Sequence, residues 1–110
     1  MNLTKAKNLT LNLMQEHQLI DQGWTFRFDN AKTRFGLCSW RHKRIQLSEI
    51  LTLAEQNEDR VKNTILHEIA HALDSNIRGY SNHDKNWKKI AKSIGCCGNR
   101  SSYGISDKNP

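Results

Sequence analysis

Ile65-Leu66-His67-Glu68-Ile69-Ala70-His71-Ala72-Leu73 is the stretch on which the fold of this chain turns. Stepped at about 100° per residue, Ile65, Leu66, Ile69, Ala70, Ala72 and Leu73 share one apolar arc. His67, His71, Asp74 and Arg78 form a polar stripe on the opposite side, with Glu68 between the two. The pattern predicts a helix from about Glu58 to Asn76, capped by Asn57, acidic in its first turn at Glu58 and Asp59, and broken at Gly79. Histidines outside the apolar arc are expected to face away from the main packing surface. Two imidazoles four residues apart on one helical face can converge on one cation, which is what H-E-x-x-H requires, and Glu68 then stands beside that cation as a base.

A catalytic zinc usually takes three protein donors and keeps a fourth position for water, so a third ligand must return from elsewhere in the chain. No Glu follows Glu68, which excludes a downstream glutamate ligand. Asp74 and Ile77 stand where a compact metzincin motif would place its glycine and third histidine. His83 is left, beyond a turn at Gly79, and is the expected third ligand by position and elimination. Asp74 and Asp84 are weaker candidates, suited to accepting a hydrogen bond that orients an imidazole. Tyr80 and Arg78 lie in the same loop, but no residue stands out as an oxyanion donor.

Outward from this helix, Ala6, Leu9, Leu13, His17 and Ile20 recur at helical steps and predict a first helix over about Leu3 to Ile20, closed before Gly23. Trp24 to Phe28, Arg34 to Trp40 and Arg44 to Leu47 are short runs of aromatic and branched residues with tight links, expected as three strands of an antiparallel meander. Ser48 and Glu49 open a brief helix to about Ala54. Asp84 opens another, in which Trp87, Ile90, Ala91 and Ile94 make the buried stripe and Gly95 the stop. The tail from Cys96 to Pro110 lacks periodicity and is expected to be loop or partly disordered. The class is therefore α+β, with one domain over residues 1–95 and a tail over 96–110.

A chain of 110 residues has room for one modest core and no second module. No apolar run reaches the roughly 20 residues that span a bilayer, and no apolar leader opens the chain, so a cytoplasmic monomer is expected. The odd, partly adjacent set Cys38, Cys96 and Cys97 suits reduced thiols better than disulfides, with Cys38 a buried one. A formal charge of +6 and a pI near 9.5 favour polyanionic partners. Lys32, Arg34, Arg41, Lys43 and Arg44 crowd the strand region with Trp40, and Lys85, Lys88, Lys89 and Lys92 ride the outer side of the last helix. These nine are candidate DNA contacts, although a solvated lysine face is the commoner meaning of such a pattern. Trp24 and Trp87 read as core residues; Trp40 reads as core or as a platform for a base.

His67-Glu68-Ile69-Ala70-His71-Ala72-Leu73 with His83, Trp87 and Gly95, preceded by Gly36-Leu37-Cys38 and Arg44-Ile45-Gln46-Leu47-Ser48, resembles the SprT-like metalloproteases, the family of the Spartan DNA–protein crosslink proteases. The similarity covers about residues 20 to 95. It implies a minimal zincin-like fold, one Zn2+ held by His67, His71 and His83, Glu68 as general base, and a protein or peptide substrate, in some relatives one bound to DNA. Many relatives carry a C-terminal zinc ribbon with paired C-x-x-C ligands. This tail offers only Cys96-Cys97, so no second zinc is expected. The rival reading is a non-catalytic module in which zinc supports a DNA- or protein-binding surface. Such a site closes its coordination sphere with a fourth protein ligand and needs no base.

Overall fold

The computed structural model describes residues 1–98, 101–102 and 105–106. Helix α1 (Leu3–Glu16) is capped by Asn2, whose side chain accepts from the Lys5 N–H, and it ends four residues before the expected Ile20. A separate 3-10 turn (Ile20–Gln22) and Gly23, at φ 90°, carry the chain into the sheet. Three strands follow, β1 (Thr25–Asp29), β2 (Gly36–Ser39) and β3 (Arg44–Ser48), then helices α2 (Glu49–Ala54), α3 (Glu58–Arg78) and α4 (Lys85–Ser93). Ser48 caps α2 through Leu51 N–H, and Asn57 caps α3 through Asp59 N–H. Asp84 caps α4 through Trp87 N–H. No helix among the described residues is long and apolar enough to cross a membrane.

The α+β class stands, but the sheet is not the antiparallel meander that its short links suggest. Its order is β1-β3-β2, with β1 parallel to β3 and β2 antiparallel to it. The cause is the loop 30–35. Asp29 accepts from Ala31 N–H, Arg34 and Gln46. Ser48 Oγ–H donates to the Ala31 carbonyl, and Ser48 N–H to that of Phe35. These bonds carry the chain across the end of β3 to its far side, so the strand that is last in sequence becomes the central one. Burial agrees, since Ile45, Gln46, Leu47 and Ser48 are all buried while β1 stays partly open.

Two cores flank α3. Ile65, Ile69 and Ala72 pack with Met14, Leu19, Trp24, Cys38, Ile45 and Leu47 against α1 and the sheet. On the other side Leu66 and Ala70 pack with Trp87, Ala91 and Cys96. A single apolar arc on α3 therefore serves two surfaces. Packing also continues past residue 95, because Cys96 is built into the second core. Within the tail, β4 (Ser101–Ser102) and β5 (Ile105–Ser106) pair antiparallel, so these four residues of the segment expected as loop are strand. The expected disorder otherwise concerns residues 99–100, 103–104 and 107–110, which lie outside the described residues.

Candidate metal centre

The ladder of α3 sets His67 and His71 on one face, with ring centroids 5.0 Å apart. Gly79, at φ 81°, lets the helix end in a left-handed residue whose N–H bonds to Ser75 O. The chain then doubles back and lays Ser81 and His83 over the polar face. His83 Nε2 lies 3.1 Å from His67 Nε2 and 3.1 Å from His71 Nε2. The three donor atoms all fall within 4.8 Å of one another, and among the described residues they form the one cluster with metal-ligand spacing.

His67, Glu68 and His71 are at most 1% exposed, and His83 is half-buried. The expectation that the two helical histidines face away from packing is thus corrected. A 3.6-residue period separates apolar from polar positions, but it does not say that a second helix will cover the polar side. Trp87 of α4 provides that cover. Its ring stacks on His71 at 4.9 Å and 18°, lies 4.6 Å from the His67 ring, and meets His83 edge-on at 4.9 Å. Its indole N–H points to the His67 carbonyl.

The donor set fits a single cation. Ligands about 2.0–2.1 Å from a tetrahedral zinc lie about 3.3 Å apart, close to the spacing of these nitrogens. Three basic nitrogens turned on one point also repel unless a proton or cation sits among them. His71 Nδ1 lies 2.8 Å from Ser81 Oγ, which in turn donates to Asp74 Oδ2 at 2.8 Å. Asp74 therefore reaches an imidazole, but through a hydroxyl. Asp84 does not reach one. It caps α4 and takes a hydrogen bond from Arg78, and that bond holds its carboxyl below the usual carboxylate range.

Glu68 stands against the strand β2. A Cβ at Gly36 would meet Glu68 Oε2 at 3.0 Å, Glu68 Cγ at 3.1 Å and Thr64 Cγ2 at 3.0 Å, so only glycine allows this approach. A glycine inside a strand pattern is a known sign of close backbone contact, and that signal was present in the sequence. Ser81 carried no comparable signal, and Trp87 read only as core. Arg78 is occupied by Asp74 and Asp84, while Tyr80 is exposed beside it. Burial pushes the Cys96 thiol up to about 11, which suits the inert role expected of a packed cysteine. Of the nine basic residues, Lys32, Arg41, Lys43, Lys85, Lys88, Lys89 and Lys92 are exposed. Arg34 is tied to Asp29 and Arg44 to Gln46. Trp40 is partly buried against the main core with Arg41 over its ring.

Fold and site together define a small α+β domain built around an H-E-x-x-H helix. The fold is shared with the crystal structure of the metallopeptidase zymogen of Pyrococcus abyssi abylysin, at a TM-score of 0.54 and 16% identity over 81% of this chain and 87% of that one. The chain belongs to the SprT-like family, whose model matches residues 5–107. No curated protein matches it by sequence.

Proposed function

We propose that this protein is a zinc metallopeptidase that hydrolyses peptide bonds with a metal-activated water. The convergence of His67, His71 and His83 on one point, with Glu68 on the adjoining turn of the same helix, carries the reading. The family and the metallopeptidase fold support it. Zinc held by three neutral imidazoles would supply a Lewis acid that polarises the scissile carbonyl and lowers the pKa of water toward ~7.

The chain's own residues do the rest. Glu68 accepts the proton of the attacking water and returns it to the leaving amine, so no covalent intermediate is needed. Gly36 lets β2 press close enough to fix that carboxylate. The Trp87 ring walls one side of the histidines against solvent. Because β2 is an edge strand beside Glu68, an extended peptide adding to that edge would bring its backbone near the base.

Replacing Glu68 with Gln keeps the size of the side chain and removes the base. Zinc content should hold near one equivalent while hydrolysis of an unfolded protein substrate falls by about 10²–10⁴. An E68Q protein that keeps both zinc and full activity ends the peptidase reading.

A second reading adds DNA-bound proteins as substrates. It is favoured by Lys85, Lys88, Lys89 and Lys92, all exposed on the helix whose opposite side holds Trp87 against the site. Duplex binding that weakens steeply with added salt supports it, and binding that ignores salt removes it.

A further inference from the structure

Asp74 sits one turn beyond His71 on α3, is 1% exposed, and is held by Arg78 through two parallel bonds, Nε to Oδ1 at 2.8 Å and Nη2 to Oδ2 at 2.7 Å. Both carboxylate oxygens in that grip are turned to the guanidinium as acceptors. The Ser81 hydroxyl, 2.8 Å from Asp74 Oδ2, must therefore spend its single proton on Asp74. Its oxygen then faces His71 Nδ1 at 2.8 Å as an acceptor, so the imidazole carries its proton on Nδ1 and turns the bare Nε2 toward His67 and His83. The same Arg78 Nη2 reaches Asp84 Oδ1 at 2.8 Å, the oxygen that caps α4 at Trp87 N–H. One chain of polar contacts thus joins α3, the loop bearing His83 and the start of α4.

We infer that Ser81 and Asp74, locked by Arg78, are positioning residues that fix the Nδ1–H tautomer of His71 and so prepare the three-histidine cluster to bind a cation. The inference rests on the metal reading above and deepens it. None of the three residues touches the cluster's donor atoms; they act through the ring of His71 and through the loop that delivers His83. Ordinary sequence spacing hides the arrangement, because Ser81 contributes only a hydroxyl and is reached by the chain reversal at Gly79.

Two measurements test it. In the first, wild-type, S81A and S81T proteins stripped of metal compete for Zn2+ with a chromophoric chelator. S81A should bind about 10–100-fold more weakly, the range for loss of a partner behind a metal-ligating histidine, measured at a temperature where the stripped protein is still folded. S81T, which restores the hydroxyl, should return to within a few-fold of wild type. In the second, ¹⁵N shifts of the histidine rings in zinc-free wild-type protein near neutral pH should show His71 protonated on Nδ1. Wild-type affinity in S81A, or a His71 proton on Nε2, overturns the inference. The ring spectrum decides even if S81A does not fold. A wild-type chain that binds no zinc, yet shows the Nδ1–H tautomer, would sink the metal reading while leaving the positioning of His71 intact.

Discussion

Ile65, Ile69 and Ala72 on one flank of α3 and His67, His71 and Asp74 on the other are all 0–1% exposed, yet the two flanks contribute to the protein in opposite ways. The first meets α1 and the sheet through apolar contacts, where each large side chain stabilises the fold by about 1.5–3 kcal/mol. The second places imidazoles and a carboxylate out of water, a net cost unless each polar group is matched by a partner. Here the matching is supplied by Ser81, Arg78 and His83, none of which is on the buried part of α3, while the Trp87 ring covers the imidazoles. A helix that carries a costly flank at full burial carries it for chemistry, and the apolar flank and second core supply the stability that allows it.

Substitutions on each side should separate the two roles. W87A should have the largest effect, losing about 3–5 kcal/mol by denaturant unfolding, and zinc affinity should fall with it because the ring wall of all three histidines is gone. I69A should lose about 2–5 kcal/mol, but its folded fraction should bind zinc as wild type does. If zinc affinity falls equally in both, the flanks are not independent and the comparison breaks.

Smaller effects sharpen it. G36A introduces a methyl 3.0 Å from Glu68 Oε2 and should cost about 1–3 kcal/mol by overpacking. Its kcat should drop with little change in zinc content, since the displaced group is the base rather than a ligand.

The smallest effect belongs to the loop that set the strand order. Burial alone would raise the Asp29 carboxyl, but bonds from Ala31 N–H, Gln46 and Arg34 outweigh it and hold the group below its ordinary 3.8. A lowered folded value means that the unfolded chain binds more protons in that range. The contribution is full above about pH 4 and is lost as pH falls through the folded value. The urea midpoint should therefore drop as pH falls below about 4, and D29N should flatten that drop without altering zinc binding. An equal drop in D29N would show that the loop bonds do not matter.

Much of this was legible one residue at a time. The starts of α2, α3 and α4 followed from Ser48, Asn57 and Asp84, because caps are local hydrogen bonds between residues two to four apart, while α3 runs to Arg78, two residues past the expected Asn76, before Gly79 stops it. The stop of α1 was missed, since Ile20 keeps the helical period although the α-helical ladder has already ended at Glu16. The strand order was missed for a related reason. Period and turn length describe neighbours in sequence, whereas β1 pairs with a strand that only the Asp29 loop brings beside it.

By itself the sequence determined the helix with its His67-Glu68-His71 spacing and singled out His83 as the residue to complete the cluster. Tertiary structure decided what encloses that cluster. It placed Trp87 over the rings, set Ser81 and Asp74 behind His71, and pressed the backbone at Gly36 onto Glu68. The reason is range: a helical period fixes directions around one axis, but burial and hydrogen bonding depend on which distant segment arrives to fill the space those directions point into.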